Sequence, residues 1–320
     1  MQDIQRVLRR IKLRDFRVLL AVAQSGSMSK AGVLLAVSHP VVSKTIGDLE
    51  RALDVRLFDR TPQGVEPTLF GNALLECGTA MFDDLHRGLQ QMEFLSDPTA
   101  GELRIGATPP LIEGPILAAI EALVSQYPRV KFHVTEGVEA MLHRALHKRE
   151  IDFAVSRSLR SIENDGQEIA FQYLFDEDLY VVAGAQNPWV RRRKIELVQL
   201  LEDPWVMPPI ENPMTALAAE GFRSVGLMPL RPRIVTTSIA VRLRLITTRD
   251  FLTMMAGSWL HFAAKRFPIA ALPVRLPMKV QKIEIAILNN RTLNPLAKTF
   301  IHSLQNIVRP LANRQPRSSD

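Results

Sequence analysis

The residues best suited to chemistry crowd into one run, Ser38-His39-Pro40-Val41-Val42-Ser43-Lys44, where hydroxyl, imidazole and ammonium groups sit close together. Val42, Ile46 and Leu49 recur at i, i+4 and i+7, so a helix beginning at Ser38 turns those three inward. His39, Pro40, Ser43, Lys44 and Gly47 are then left on its outer side, mostly in the first two turns. Donors and small residues at the leading end of a helix are what the major groove of DNA accepts. The chemistry they offer is hydrogen bonding to base edges.

The elements around this run are the ones needed to present it. Ser27 predicts the N-cap of a short helix over 28–36 that buries Ala31, Leu34 and Leu35. Ser38 then starts a second helix with Pro40 in its first turn, where a missing N–H costs nothing. Two helices joined by so tight a turn form a helix-turn-helix. After Leu53 a short apolar run turns at Pro62–Gly64, a hairpin wing with Arg60 and Gln63 near its tip to touch phosphate or minor groove. Residues 4–25 keep a helical period through Ile4, Val7, Leu8, Ile11, Leu13, Phe16 and Leu19, and Gly26 stops it. That helix supports the pair from behind with its basic residues in solvent. Two helices alone could equally be part of a bundle with a solvated polar face; the wing and the helix after it favour the DNA-reading arrangement.

From Thr68 to Ser96 there is no proline, and Leu74, Gly78, Met81, Leu85, Gly88, Met92 and Leu95 fall at alternating spacings of three and four. This is an a/d seam, widened by Phe82 and Leu89. So long a seam predicts a helix paired with a second copy of the chain; a core helix of the next domain is the competing reading. Asp97-Pro98-Thr99-Ala100-Gly101 then reads as a hinge.

Beyond the hinge, strands and helices alternate. Strands are expected at 103–108, 130–135, 151–156, 179–183, 205–207, 233–236, 251–255 and 282–288. Helices are expected at 115–126, 138–149, 196–201, 212–225, 239–246, 258–267 and 294–308. Connections this regular predict βαβ units and a parallel sheet. One set lies before about Phe175 and another after it, and the final strand and helix return to the first. In open α/β lobes, ligands bind beyond the carboxyl ends of strands. Thr108-Pro109, Glu136-Gly137-Val138, Ser156-Arg157, Met207-Pro208 and Thr237-Ser238 occupy such ends.

From SGSMSKAG through SHPVVSKTIGDLE to VRLFDRTPQGVEPT the sequence resembles the N-terminal winged helix-turn-helix of LysR-type transcriptional regulators, and the likeness extends through nearly the whole chain. The family usually has Gln where this chain has His39, and often Arg where it has Lys44. The resemblance implies an α+β multidomain protein: a winged helix-turn-helix over 1–67, a dimerisation helix over 68–96, a hinge at 97–101, a two-lobed, periplasmic-binding-protein-like effector domain over 102–312 and a tail at 313–320. It assigns DNA contact to Ser27, Ser38, His39, Pro40, Ser43, Lys44, Arg60 and Gln63. Dimer contact falls to Leu74, Met81, Leu85 and Met92, and effector contact to Thr108, Pro109, Val138, Pro208, Thr237 and Ser238. The implied partners are double-stranded DNA at an inverted repeat, a second copy with further pairing to a tetramer, RNA polymerase, and a small-molecule effector.

Composition agrees. Net charge is +7 with a pI near 9.8. Residues 1–70 hold 11 Lys/Arg against 7 Asp/Glu, residues 71–100 hold 1 against 5, and the rest 28 against 21. The basic excess is therefore shared with the C-terminal part, which suits an anionic ligand as well as DNA. No stretch approaches the roughly 18 apolar residues of a membrane span, and the N-terminus lacks the apolar block of a signal peptide; a cytoplasmic protein is expected. The single cysteine, Cys77, excludes an intrachain disulfide and a cysteine-rich zinc site. There is no Gly-rich phosphate loop, GxSxG elbow or dinucleotide fingerprint. His143 and His147 stand four apart without a third ligand and are expected on a solvated helix face, and Arg191-Arg192-Arg193-Lys194 in a solvated loop. An enzyme with an attached DNA-binding head and a solute-binding protein are the rival classes; no catalytic residue, metal or cofactor is expected.

Overall fold

The computed structural model describes residues 7–62, 64–157, 168–289 and 291–312. Gln63, the residues before Val7 and the polar tail from Asn313 lie outside them. The chain forms two compact units, one ending at Gln90 and the other beginning at Gln91.

Among the described residues the helical period expected over 4–25 is interrupted: Val7 and Leu8 are helical, the chain turns at Arg9 and Arg10, and α1 (Leu13–Ser25) begins anew. Lys12 is extended, and its N–H donates to Asp15 Oδ2 at 2.9 Å, so a fresh helix is capped there. Next come α2 (Met28–Leu35), α3 (His39–Leu53), the antiparallel strands β1 (Phe58–Thr61) and β2 (Gly64–Pro67), and α4 (Leu69–Ser96). Ser27 caps α2 by accepting from Lys30 N–H at 3.4 Å. The α2–α3 turn needs Ala36 in the left-handed region (φ 54°) and brings Val37 N–H onto Gly32 O at 2.9 Å. A Cβ at Gly32 would meet Val37 O at 2.8 Å, so the turn is this tight only because residue 32 has no side chain. Gly32 thus takes a buried place on α2 while the expected core residue Leu34 is exposed.

Phe16, Leu19, Val22, Ala31, Val42, Ile46, Leu49, Leu57 and Phe58 make the core, with Leu74, Met81 and Phe82 packed on it. Gly78 lies against Phe16, whose ring would stand 2.9 Å from an added Cβ. The long seam is thereby divided. Its first half serves this chain's own head, and Leu85, Leu89, Met92 and Leu95 remain exposed.

The second unit has two lobes. In the first, β3 (Ala100–Ala107), β4 (Arg129–Glu136), β5 (Phe153–Ser156), β6 (Ile169–Glu177) and β12 (Gln281–Leu288) form a sheet in the order β4-β3-β5-β12-β6. The sheet is mixed, correcting the parallel expectation: β3 is parallel to β4 and β5, whereas β12 is antiparallel to β5 and β6. The reason is connectivity, since β12 enters from the other lobe. Strand β6 escaped notice because Glu168 to Glu177 intersperses polar with apolar residues. The strand expected at 103–108 starts earlier, at Ala100, so the hinge overlaps it. The helix expected from residue 115 begins directly after β3: Pro109–Leu111 is helical, Ile112–Ile116 forms a wide π turn around Gly114-Pro115, and α5 (Leu117–Val124) follows. Prolines in a first helical turn lose no hydrogen bond.

Helix α6 (Glu139–His147) covers one face of the sheet, and α10 (Pro295–Ala312) packs with α5 on the other. His143 is buried, and its ring lies 4.5 Å from that of His147, so this pair is packed and not solvated. His147 Nδ1 lies 3.2 Å from Glu168 Oε2. Below the sheet Asp152 accepts from Arg104 N–H at 2.8 Å and pairs with Arg291 at 2.9 Å.

The second lobe comprises β7 (Leu179–Gly184), β8 (Val206–Met207), α7 (Pro213–Ser224), β9 (Ile234–Val235), α8 (Ile239–Thr248), β10 (Leu252–Ala256), α9 (Gly257–Ala263) and β11 (Ile269–Ala271). Strands β10 and β11 flank β7 antiparallel, and a bridge from Trp205 to Leu252 ties in the parallel β8–β9 pair. The chain passes between lobes twice, at β6 to β7 and at β11 to β12.

At the first passage, Glu177 is buried and accepts from both the N–H and the hydroxyl of Ser258. Burial pushes its pKa up to about 7 despite those donors and Arg157. A carboxyl whose folded pKa is raised favours the folded state while protonated. That contribution is complete below its ordinary pKa of 4.5 and is lost as pH rises through about 7. Glu177→Gln keeps both Ser258 bonds without a charge, so its melting temperature relative to wild type should climb between pH 5 and pH 8, by the equivalent of about 3 kcal/mol at the upper end. Parallel pH curves for the two proteins would show that Glu177 is not held protonated.

Candidate DNA-reading face and ligand cleft

Helix α3 turns Val42, Ile46 and Leu49 inward as its spacing requires. His39, Pro40 and Lys44 are exposed, Ser43 is half-buried, and a Cβ on Gly47 would meet nothing within 4 Å. Ser38 is the N-cap residue by backbone, but its side chain does not cap; its carbonyl accepts from Val41 and Val42 N–H. The Ser38 hydroxyl is consequently exposed at the tip of the helix. Ser27, by contrast, spends its hydroxyl on Lys30. Lys12, Arg14 and Arg17 line a surface groove together with Val41, Lys44 and Thr45, so the basic residues of α1 border the recognition helix.

The wing is fixed to that helix by a residue with no evident chemical role in the sequence. Glu50 accepts from Leu57 N–H at 2.8 Å and Phe58 N–H at 3.4 Å, which sets where β1 leaves α3. Val65 N–H donates to Gly26 O at 3.0 Å, and a Cβ on Gly64 would stand 2.2 Å from that same oxygen. Arg60 pairs with Val65 across the hairpin and is exposed. The signal for Glu50 was its place beside Leu49, four residues after Ile46, on the edge of the buried stripe.

In the second unit a cavity of about 300 Å³ opens between the lobes. Of the expected ligand residues, Thr108, Pro109, Val138, Pro208 and Thr237 line it. Ser238 does not; its hydroxyl caps α8 by accepting from Val241 N–H at 3.3 Å. Thr108 is buried at the N-cap of Pro109–Leu111 with its side chain free of capping duty. Glu136 and Arg157, at strand ends marked in the sequence, also line it, and the structure adds Glu139, Asn212, Met214, Ile239 and Arg242. Arg242 is only 4% exposed, and burial pushes its pKa down to about 10, against the opposing influence of Glu113. Its signal was legible: Ile239, Leu243 and Ile246 define the apolar stripe of α8, and Arg242 lies on it. Among the described residues no group of three or more His, Cys, Asp or Glu side chains could hold a metal ion.

Two family models match. One, described as the LysR substrate binding domain, covers residues 96–309, and the other, a bacterial regulatory helix-turn-helix protein of the lysR family, covers residues 13–72. The chain belongs to the LysR family. Among LysR relatives, GbpR of Azospirillum brasilense, named an HTH-type transcriptional regulator, is 25% identical over 97% of this chain and 92% of its own. GltC of Bacillus subtilis, a transcriptional dual regulator, is 26% identical over 91% and 95%. A full-length OxyR variant from Pseudomonas aeruginosa shares the fold with a TM-score of 0.62 at 19% identity, covering 97% of this chain and 99% of its own. Full-length CbnR complexed with target DNA gives 0.60 at 19%, covering 93% and 100%. This LysR protein is a transcriptional regulator, not an enzyme, with a DNA-binding helix-turn-helix and an effector-binding domain. Among its described residues no helix is long and apolar enough to cross a membrane.

Glu50→Ala should leave the Leu57 and Phe58 N–H groups without their acceptor. A loss of about 1–3 kcal/mol is expected in denaturant melts of the full chain, with weakened duplex binding. Weakened binding at unchanged stability would place Glu50 on the DNA instead of behind the wing.

Proposed function

We propose that the protein binds an inverted repeat beside a promoter as a dimer, with a dimer of dimers as the working assembly, and that a small molecule in the cleft between its lobes sets promoter output. The observation that carries this reading is the polar edge of α3, where Ser38, His39, Ser43 and Lys44 are left unburied beside the groove bordered by Lys12, Arg14 and Arg17. His39 and Ser43 read base edges, Lys44 reads a base or phosphate, and Arg60 at the wing reaches the backbone or minor groove. The basic residues of α1 add phosphate contacts and hence salt dependence.

Leu85, Leu89, Met92 and Leu95 supply the interchain contact, since a run of large apolar side chains on one helix is costly to leave in water. Leu74 and Met81 act chiefly within the head, which narrows the dimer contact to the second half of α4. Thr108, Pro109, Val138, Pro208 and Thr237 hold the effector, and Ser238 shapes the site as a cap. The protein acts in the cytoplasm, where promoter DNA is found, and RNA polymerase is the partner through which output changes. A ligand that prefers one arrangement of the lobes shifts the population of states and so the occupancy of the promoter.

Lys44→Ala should weaken binding to a captured genomic site by about 1–3 kcal/mol, roughly ten- to a hundredfold, with sedimentation unchanged. Equal footprints for both proteins would remove α3 from the DNA. Met92→Glu places a charge in the proposed contact and should move the chain toward monomer in sedimentation while leaving its melting temperature near that of wild type. A dimer as tight as the original would assign assembly to another surface.

A further inference from the structure

We propose that the cleft takes a small organic monocarboxylate with an apolar body, selected by Arg242; this rests on the reading of the cleft as the effector site. A guanidinium carries five N–H donors and no acceptor. Arg242 donates from Nη1 to Met254 O at 3.1 Å, and its Nε is buried with no partner among the described residues. With a pKa pushed down to about 10, the group is still cationic at neutral pH. Side chains of this kind are almost never so buried unless paired. Glu113 lends a favourable field, but its carboxylate already accepts from Trp259 Nε1 at 2.8 Å. The missing counter-charge is one that arrives with a ligand.

The rest of the lining decides which anion. Helix N-termini usually hold phosphates through free N–H groups; at three of the four joins lining this cleft prolines or side-chain caps reduce them, and the fourth, at Val138, has no side-chain cap but carries the Glu139 carboxylate. Pro109 and Pro110 have none, and neither does Pro213 at the start of α7. Asn212 occupies Met214 N–H, and Ser238 occupies Val241 N–H. Glu136 and Glu139 would repel a phosphate dianion more strongly than a single carboxylate. One carboxylate matches Arg242 with Arg157 and the Thr108 hydroxyl nearby on the other lobe. Pro208, Met141, Met214 and Ile239 then face the remainder of the molecule, which must be apolar.

The test uses thermal melting of the full chain with benzoate and hexanoate, their neutral counterparts benzamide and hexanamide, and inorganic phosphate. The acids should raise the melting temperature of wild type, and the amides and phosphate should not. Arg242→Met should lose at least tenfold in apparent affinity for the acids, Arg242→Lys should retain part of the response, and ligand-free Arg242→Met should melt higher than wild type, because an uncompensated buried charge is gone. Amides as effective as acids, stabilisation by phosphate alone, or no response to any probe would overturn the ligand class. A lower melting temperature for ligand-free Arg242→Met would make the arginine structural and overturn its assignment. The cleft itself is scored separately on operator footprints. Acids that bind through Arg242 without altering the footprint would sink the effector reading and leave the ligand class standing; a neutral compound that alters it, and fails to in Thr108→Val, would do the reverse.

Discussion

A charge removed from water must find a partner, and much of this chain's architecture follows from how it meets that requirement. Glu50 accepts two N–H groups where the wing leaves the recognition helix. Asp152 takes Arg291 on one oxygen and the Arg104 N–H on the other, fastening β3 and β5 to the segment after β12. Glu177 has Ser258 where the chain first passes between lobes, and there solvation is given up so completely that the carboxyl tends to keep its proton. In each case removing one partner leaves the other stranded, which costs more than the bond itself is worth. Arg242 differs from this set: Nη1 donates to Met254 O, but its buried Nε has no partner among the described residues, and it borders the cavity between the lobes.

The surroundings of that opening show the same economy of donors. Four strand-to-helix joins converge there, an arrangement that elsewhere gathers exposed N–H groups into an anion site. In this chain three prolines and two side-chain caps remove donors at three of the joins, and at the fourth Glu139 sets a carboxylate beside an uncapped helix start. On the reading proposed for the cleft, binding power rests less on the backbone, which recognises any oxyanion, than on the Arg242 guanidinium. A backbone nest suits a phosphate of any origin, whereas a buried arginine flanked by Met214 and Ile239 discriminates by the body of the ligand as well as its charge.

Much of this was legible in the sequence, and the failures have physical causes. The α3 stripe was read correctly because Val42, Ile46 and Leu49 repeat with the helical period and Pro40 marks the start. Leu34 was misplaced because periodicity cannot see that the turn at Ala36 demands a side-chain-free Gly32 on the buried face. The seam of α4 was read as continuous because heptad spacing does not say which molecule supplies the partner; Phe16 does so for Gly78. The sheet was expected to be parallel because local alternation of strands and helices carries no information on a strand arriving from another lobe, as β12 does. Five of the six expected cleft residues line the cavity, since strand ends are marked by Thr, Pro and Gly in sequence. Arg242 was overlooked because it lies within a helix, where an arginine is by default assigned to solvent.

The placement of the cationic side chains also bears on how ligand and conformation are coupled. Arg157 follows β5 in the first lobe, and Arg242 stands on α8 in the second. On the reading proposed for the cleft, closing the lobes without a ligand would bring these two guanidiniums nearer, a repulsion that Glu136 and Glu139 in the same lining offset only in part. A bound carboxylate reverses that term, because one anion between two guanidiniums is attracted to both. A ligand can shift an equilibrium only by its difference in affinity for the two states. A neutral molecule filling the same apolar wall gains contact on closure but leaves the repulsion in place, so it shifts the equilibrium less than an acid of equal size. On that reading the charge of the ligand would drive the conformational response, and its apolar body would set its residence.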